Sequence, residues 1–267
     1  MNVVVLMKQV PDTESELEVR EDGKGIECED VKMVINPYDE YALEEALRIK
    51  ESGGAEKVTV ISVGPDSVPE AIRVAYAMGV DEAIHVNDEI DEDVYGAVDP
   101  YTTAKIISSV LKDLSYDLII AGQRAVDGDN YLVPAYVAEM SGLPMVSGVV
   151  HQQIENGAVI CRQLVEGGTA TVKAPLPAIL TAQKGLNEPR YPNFRAIMKA
   201  KNTPFVEKEI DDLGLSEDEV GVNCARVKIR SLTLPTGRTG GKIIEGASPA
   251  AKAAELVRLL KEERQAI

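Results

Sequence analysis

Two aspartates before a predicted helix are the residues best placed to do chemistry in this sequence. Asp127 and Asp129 lie in the stretch 121–144, AGQRAVDGDNYLVPAYVAEMSGLP. Carboxylates at this spacing can form an acid and base pair, accept hydrogen bonds from ribose hydroxyls, or cap the helix, and aspartate is favoured at helix N-caps. If a nucleotide binds, we expect them to turn towards its sugar or towards the loop's own amides, leaving the main chain to meet the phosphates.

The surrounding residues are typical of a ligand-binding loop in an α/β protein. Residues 117–121 are predicted to be a buried strand, 122–129 a loop and 130–141 a helix. Unpaired backbone N–H groups and the positive end of the helix dipole converge at such a junction. Gly122 and Gly128 would let a ligand approach the backbone closely.

Four strand and helix repeats position this loop. Strands are predicted at 2–7, 57–63, 82–86 and 117–121, and each is followed by a helical pattern. This alternation predicts an α/β fold with a doubly wound, mostly parallel, Rossmann-like sheet. The ligand crevice of such a sheet lies at the carboxyl ends of its strands. Four loops should line it: Leu6 and Met7, residues 36–39, Val63 and Gly64, and residues 122–129.

The first repeat contains a long excursion before its helix. Residues 14–35 alternate as in a hairpin, with Asp22 and Gly23 as its turn. Asn36 is the expected N-cap of the first helix, and Pro37 occupies its first turn.

After residue 144 the pattern changes from repeats to alternating segments. Residues 149–154, 158–164, 169–173 and 178–182 predict antiparallel strands added beside the parallel core. From residue 203 the chain is acidic, then strand-like at 226–232, loop-like at 235–241, and helical at 249–263. We therefore predict a nucleotide-binding domain over 1–202 and a C-terminal arm over 203–267 that wraps the domain or a partner.

Composition excludes several classes of function. The 267 residues carry a formal charge of −16, which argues against binding nucleic acid or an anionic membrane. Cys28, Cys161 and Cys224 are widely spaced and odd in number, so a disulfide framework or a metal centre is not expected. The start at Met1 has no signal peptide pattern, which favours a soluble cytoplasmic protein. His85 and His151 are interpreted as structural.

A basic island stands out in this acidic chain. Residues 184–201, KGLNEPRYPNFRAIMKAK, hold five cations against one acid. Phe194 is one of two phenylalanines and lies among these charges. An apolar side chain within a basic collar is typical of a docking anchor, although a solvated loop and helix start would have the same composition.

Several segments together closely resemble the signature of the electron transfer flavoprotein beta subunit. They are VVVLMKQVPDT near the start, NPYDEYALEEALRIK at 36–50, AGQRAVDGD at 121–129, LPAILTAQKGLNEPRYPNFRAIMKAK ending at 201, and PTGRTGG at 235–241. They follow the family's order and span nearly the whole chain.

The resemblance implies a heterodimer with an alpha subunit that carries the redox FAD near the subunit interface. Such a pair passes electrons between a flavin dehydrogenase, for example an acyl-CoA dehydrogenase, or NADH and an acceptor such as a quinone, ferredoxin or flavodoxin. An electron transfer flavoprotein quinone oxidoreductase is a further partner that the resemblance suggests. Flavins then supply the redox chemistry, so no catalytic side chain and no metal ligand is expected in this chain.

The resemblance also implies two sets of site residues. The nucleotide site would be formed by Leu6, Met7, Lys8, Asn36, Tyr38, Asp39, Val63, Gly64, Thr102, Gly122, Arg124, Ala125, Asp127, Gly128, Asp129, Asn130, Tyr131, Leu132 and Val133. The loop that grips the dehydrogenase would include Arg190, Tyr191, Phe194, Arg195, Ile197, Met198 and Lys199. Arg238 belongs to a motif expected near the alpha subunit.

The resemblance leaves open which nucleotide this subunit holds. Carriers of the family have an AMP loop resembling A-I-D-D-D-x-N-Q-T-G, and electron-bifurcating members have a second FAD with A-I-D-G-D-T-A-Q-V-G-P. This chain reads AVDGDNYLVP at 125–134. Gly128 favours the second FAD. Leu132 and Pro134 replace the family's Gln and Gly, which removes a side-chain donor and a backbone N–H near the phosphates.

Two functions of other classes fit a similar core. An ATP pyrophosphatase or nucleotidyltransferase would need a phosphate loop after the first strand, where this chain has Lys8 followed by Gln, Val and Pro. A stress-type ATP-binding module would act as a homodimer and would leave the basic island unexplained.

Overall fold

The computed structural model describes residues 1–87, 99–221, 224–237 and 240–263. Its strands are β1 (Asn2–Leu6), β2 (Gln9–Pro11), β3 (Met33–Ile35), β4 (Lys57–Gly64), β5 (Glu82–Asn87), β6 (Leu118–Gly122), β7 (Met145–Glu155), β8 (Ala158–Val165), β9 (Gly168–Pro175), β10 (Ala178–Ala182) and β11 (Val206–Lys208). Its helices are α1 (Pro37–Glu51), α2 (Val68–Met78), α3 (Pro100–Lys112), α4 (Val133–Ser141), α5 (Phe194–Ala200), α6 (Glu217–Val220) and α7 (Pro249–Glu262), with a 3-10 turn at Asp211–Leu213.

Nine strands form one sheet in the order β11-β5-β4-β1-β6-β10-β7-β8-β9. The strands from β11 to β7 are parallel, and β7, β8 and β9 are antiparallel. The parallel core is apolar on both faces because helices cover both. Val3 and Val5 face α1 and α2, whereas Val4 and Leu6 face α3 and α4. This confirms the predicted α/β class with a mostly parallel sheet.

Residues 178–182 depart from the prediction in direction and place. They form β10, which lies between β6 and β7 and pairs in parallel with both, instead of extending the antiparallel edge. All five residues of β10 are buried. A strand with four apolar residues out of five gains most from an interior position, which the alternation of its neighbours in sequence does not reveal.

Three further segments differ from their predicted forms. The excursion pairs at its base through β2 and β3, and beyond them its only described ladder contact is the bridge Val19↔Ile26 around the turn at Gly23. Helix α4 begins at Val133 instead of residue 130. Residues 226–232 are described throughout and form no strand; their amides bond to Asp99 and Gly23 instead.

By its internal contacts the chain separates into two compact units, Met1–Leu232 and Thr233–Ile267. The first contains the sheet and α1 to α6. The second contains α7, whose N-cap Ser248 accepts a hydrogen bond from the amide of Ala251. The predicted boundary between 202 and 203 stays a prediction. In the described ranges, no helix has the length and apolar character needed to cross a bilayer.

Candidate functional site

A crevice of about 670 Å³ lies at the carboxyl ends of β1, β4 and β6. It brings together fifteen of the predicted site residues: Leu6, Met7, Lys8, Asn36, Asp39, Val63, Gly122, Arg124, Ala125, Asp127, Gly128, Asn130, Tyr131, Leu132 and Val133. Four others do not line it: Tyr38, Gly64, Thr102 and Asp129. The loops after three separate strands therefore converge on one cavity, as the strand order of a doubly wound sheet requires.

Asp39 ties together the three elements that meet at the crevice. It is buried in the first turn of α1. Its Oδ2 accepts a hydrogen bond from the amide of Lys8 at 2.7 Å, and its Oδ1 accepts one from the amide of Gly122 at 2.9 Å. Burial raises the pKa of Asp39 to about 7, against the opposite effect of these amides and of Asn36. The carboxyl group thus fixes the ends of β1 and β6 against α1.

Gly122 is required by the close approach of α1. A Cβ at this position would lie 2.3 Å from Oδ1 of Asp39 and 2.7 Å from the carbonyl carbon and Cβ of Tyr38. Since Tyr38 contributes backbone to this contact, the neighbour cannot move aside by a rotamer change alone. Gly122 therefore makes room for α1, and it also lines the crevice, where its predicted contact with a ligand stays a prediction.

Asn36 serves the loop after β6. It occupies the N-cap position of α1 without making the side-chain cap hydrogen bond. Its Nδ2 instead donates to the carbonyl oxygen of Arg124 at 2.8 Å, and its Oδ1 accepts from the amide of Val126 at 3.1 Å. The prediction that Asn36 caps the helix was wrong in its contact, because the loop backbone lies within reach of the side chain.

The two aspartates of the loop have different partners, and neither caps α4. Asp127 forms an ion pair with Nζ of Lys8 at 2.6 Å and accepts a hydrogen bond from the amide of Gly128 at 2.7 Å. Asp129 forms an ion pair with Arg124 at 2.7 Å. Asp127 thus turns towards its own loop, as expected if the main chain is to face an anion. An acid and base pair is not formed, because each carboxylate is bound to its own cation.

Arg124 lies between two tyrosine rings. Its guanidinium is 5.0 Å from the ring centre of Tyr38 and 5.4 Å from that of Tyr131, and it donates hydrogen bonds to both hydroxyl groups, at 2.9 and 2.8 Å. Tyr131 adopts φ of 61°, a strained value for a non-glycine residue that costs about 1 kcal/mol. Nε of Arg124 is buried with no hydrogen-bond partner among the described residues. The stack fixes a cation at the crevice with one donor still unsatisfied.

Thr102 and Gly64 stand behind the crevice. Thr102 is buried in the first turn of α3, where its amide and its hydroxyl both donate hydrogen bonds to Asp99. The carbonyl oxygen of Gly64 lies 2.8 Å from Nε2 of the fully buried His85. These residues support the walls instead of forming their surface.

A second wall comes from parts of the chain that sequence analysis did not place at the site. The excursion contributes residues including Pro11, Leu17 and Ile26. The segment 226–232 contributes Val227, Ile229 and Leu232. The alternation of residues over 226–232 predicts a strand, but in the structure Val227 and Ile229 lie on the apolar side of a non-strand segment that lines the crevice.

Asp99 holds that segment in place. Its Oδ1 accepts from the amide of Thr102 at 2.9 Å, and its Oδ2 accepts from the amides of Arg226 and Val227 at 2.7 and 3.1 Å. At the far end, the amide of Leu232 donates to the carbonyl oxygen of Gly23. Hydrogen bonds therefore hold both ends of the segment 226–232, and three of its residues line the crevice.

The start of α4 offers few free amides to an anion. Pro134 has no N–H, and the amide of Leu132 donates to Oδ1 of Asn130 at 3.1 Å. The helix dipole still points its positive end at the crevice. Lys8 and Arg124 are the side-chain cations that line the cavity among the described residues.

The predicted docking residues lie on and before the short helix α5. Tyr191 is 97% exposed and Phe194 is 75% exposed, and Ile197 and Met198 are also exposed. Arg195 and Lys199 are exposed beside them. Contiguous exposed apolar side chains mark interaction sites on many proteins. We call this group the docking patch: Tyr191, Phe194, Arg195, Ile197, Met198 and Lys199.

Arg190 differs from the other residues of this set. Its Nε donates to Oε2 of Glu44 at 2.7 Å, and its Nη2 donates to Oε2 of Glu51 at 3.0 Å. Burial would raise the pKa of Glu44, but hydrogen bonds from Arg190 and Arg48 outweigh burial and hold that pKa below its ordinary value. The hydrogen bond to Glu51 raises the pKa of Arg190 most, and the hydrogen bonds to Glu44 raise it further. Two carboxylates of α1 hold the guanidinium, and the predicted contact of Arg190 with a partner stays a prediction.

The remaining sequence predictions concern isolated residues. Cys28, Cys161 and Cys224 all lie in the described ranges and form no disulfide bond there. Within the ranges that the structure describes, no group of His, Cys, Asp and Glu has the arrangement of a metal site. Arg238 lies outside the described residues.

Comparison with known proteins gives consistent matches over the whole chain. A family model described as "Electron transfer flavoprotein domain" matches residues 25–213. The electron transfer flavoprotein subunit beta of Bacillus subtilis is 39% identical over 100% of both chains, and that of Bradyrhizobium diazoefficiens is 38% identical over 98% of both. The caffeyl-CoA reductase-Etf complex subunit CarD of Acetobacterium woodii is 33% identical over 98% of this chain and 99% of its own.

Proposed function

Because the chain belongs to the electron transfer flavoprotein beta-subunit family, we propose that it forms a heterodimer with an alpha subunit and helps to carry electrons from a flavin dehydrogenase to an acceptor. The observation that carries the proposal is the presence of two surfaces in one unit. One is a nucleotide-sized crevice at the strand ends, and the other is an exposed apolar helix with cations beside it. A stand-alone nucleotide enzyme would use only the first.

The crevice has the mixture of groups that a nucleotide with an aromatic ring requires. Leu6, Met7 and Val63 give an apolar wall, while Lys8 and Arg124 give cations for phosphate oxygens. Both cations already have partners in this chain, Lys8 in Asp127 and Arg124 in Asp129, so each would bring a positive charge to the crevice from a fixed position. Asn36 and Asp39 hold the loop backbone that would face the ligand. A flavin bound here would supply redox chemistry.

For this subunit we propose a second FAD in preference to AMP. The cavity of about 670 Å³ falls in the middle of the range for drug-sized ligands, and FAD has more than twice as many non-hydrogen atoms as AMP. Val227, Ile229 and Leu232 extend the apolar lining beyond the loop motif that the carriers of AMP share. A second flavin would allow the pair to divide electrons between two acceptors and to use NADH.

We propose that the docking patch contacts the dehydrogenase. Phe194 and Tyr191 supply apolar area at the centre, and Arg195 and Lys199 surround it with positive charge on an otherwise acidic protein. Apolar anchors contribute most of the binding energy, and charges increase the association rate. The predicted C-terminal arm covers residues 203–267, but residues 203–232 belong to the unit that contains the sheet. We therefore propose that only residues 233–267 of this arm pack on the alpha subunit.

A cofactor count on the purified heterodimer tests the proposal. The chain is co-expressed with the alpha subunit, bound nucleotides are released by acid, and FAD and AMP are quantified by chromatography. We expect two FAD per heterodimer. One FAD with one AMP would overturn the second flavin and keep the carrier, whereas a colourless pair that no flavin dehydrogenase reduces would overturn the carrier itself.

A further inference from the structure

We propose that Arg190 is a positioning residue that fastens the docking patch to α1, and that it makes no contact with the partner. The inference rests on the proposed function for the identity of the patch, but its structural half stands on this chain alone. Arg190 lies four residues before Phe194, between a segment held by α1 and the helix that presents the exposed side chains.

The contact between Arg190 and α1 is a fork with two carboxylates. Glu44 is only 3% exposed, and it receives the Nε of Arg190 at 2.7 Å, the Nη2 at 3.2 Å and the backbone amide at 3.2 Å. Glu51, two helical turns further along α1, accepts hydrogen bonds from Nη1 and Nη2. A planar guanidinium that meets two carboxylates has its orientation fixed, which a lysine ammonium cannot reproduce.

Neighbouring contacts place the same segment on the same helix. Nδ2 of Asn187 donates to the carbonyl oxygen of Tyr41 at 3.0 Å and to Oε2 of Glu45 at 2.8 Å. Arg48 donates to the carbonyl oxygen of Glu188 at 3.2 Å. These contacts explain why α1 buries two glutamates on a face where an amphipathic helix would carry apolar residues.

The far end of α5 is held by α2. The guanidinium of Arg73 donates to the carbonyl oxygens of Ala200 and Lys201, and the hydroxyl of Tyr76 donates to that of Pro204 at 2.9 Å. Ala200 is buried. Helix α5 is thus fixed at its start by Arg190 through α1 and at its end by α2.

Contacts at both ends of α5 are needed because the helix is too short to be stable without them. It has seven residues, and isolated helices of this length are not stable in water. Its N-cap, Asn193, accepts from the amide of Ala196 at 2.9 Å and lies three residues from Arg190. If the clamp is lost, only a fraction of molecules present Phe194 in the docking orientation, and the apparent affinity for the partner falls by that fraction.

The experiment uses the purified heterodimer with four substitutions. Arg190→Ala removes the clamp, Arg190→Lys keeps the charge without the fork, and Glu51→Gln weakens it from the exposed side with little risk to folding. Lys50→Ala is the matched control, since Lys50 lies on the same helix and pairs with Asp81 instead. Hydrogen exchange of peptides from 186–201 and steady-state reduction by a flavin-containing acyl-CoA dehydrogenase are measured for each.

For Arg190→Ala we expect exchange at the amides of Ala196, Ile197 and Lys201 to accelerate by at least about tenfold, with peptides of β1 and β6 unchanged. We expect the KM for the heterodimer to rise about tenfold and kcat to stay within about twofold. Arg190→Lys and Glu51→Gln should fall between this variant and the wild type, and Lys50→Ala should match the wild type.

Three results would overturn the inference. Unchanged exchange in Arg190→Ala would show that the clamp does not fix the segment. Accelerated exchange without a change in KM would show that fixation does not serve docking. Equal effects of Arg190→Lys and Arg190→Ala would remove the role of the fork. A wild-type pair that the dehydrogenase does not reduce would instead overturn docking as proposed above, while the exchange rates would still decide whether Arg190 fixes the segment.

Discussion

Replacement of Gly122 by alanine should be among the most damaging single substitutions in this chain, although it adds only one methyl group. The new Cβ would lie 2.3 Å from Oδ1 of Asp39 and 2.7 Å from two atoms of Tyr38. To restore ordinary contact, the first turn of α1 must retreat by roughly 1 Å, and overpacking of this kind costs about 1–3 kcal/mol.

The retreat also breaks a hydrogen bond that has no substitute. The amide of Gly122 donates to Oδ1 of Asp39 at 2.9 Å inside the protein. A buried donor without its partner costs about 1–3 kcal/mol more. Together these effects give about 2–6 kcal/mol, which for a unit of this size lowers Tm by about 5–20 °C. The shift should also reach Asn36, which holds the loop at Arg124 and Val126, so bound nucleotide should be lost as well.

Thermal unfolding of the heterodimer and its nucleotide content measure both effects. Gly168→Ala is the matched control, because a Cβ at Gly168 meets nothing within 4 Å and its φ is not positive. The control should change Tm by less than about 2 °C. If the two variants unfold at the same temperature and retain the same nucleotide, the proposed role of the contact between α1 and β6 is wrong.

Three other predictions concern separate parts of the protein. Phe194→Ala should raise the KM for a dehydrogenase by about tenfold or more in reduction assays. Tm and flavin content should stay unchanged, because the side chain is 75% exposed. Unchanged kinetics would contradict the role of Phe194 as a docking anchor. Asp99→Ala should release the segment at Val227 and remove the N-cap of α3. The free energy of unfolding, measured in urea, should fall by about 1–2 kcal/mol, and the nucleotide should dissociate faster in a displacement assay. Equal dissociation rates in the variant and the wild type would contradict this. Burial raises the pKa of Asp39 from 3.8 to about 7, so the folded protein holds its proton more tightly, and the stability that this contributes is present below about pH 4 and lost as pH rises to 7. Urea unfolding from pH 4 to 8 should therefore show a downward slope that is weaker in Asp39→Asn, and parallel profiles would refute it.

Most of the fold follows from local patterns. The strands β1, β4, β5 and β6 lie within one or two residues of their predicted bounds, and α1 begins at Pro37 after the expected Asn36. These elements have continuous apolar runs or helical periodicity with clear ends, and such signals are carried by neighbours in sequence. The place of β10 and the extended form of 226–232 depend on which surfaces remain uncovered after the sheet is assembled, so no local pattern reveals them.

The candidate site divides in the same way. Convergence of the loops at Leu6, Asn36, Val63 and Gly122 could be predicted, because strand order and parallel direction place the carboxyl ends together. The partners of individual side chains could not. Asn36 occupies the predicted N-cap position, but its side chain holds a loop that is far away in sequence. No local pattern connects Asp99 with the distant segment that it anchors.

By itself the sequence determined the α/β class, the position of the crevice and the existence of an apolar patch among cations. Each depends on the type and spacing of residues along a short stretch of chain. Only the tertiary structure decided that Gly122 makes room for α1, that Asp39 joins two strands, and that Arg190 pairs with Glu44 and Glu51. The physical reason is that hydrogen bonds and steric contacts act over a few ångströms, and folding alone brings residues more than eighty positions apart to that distance.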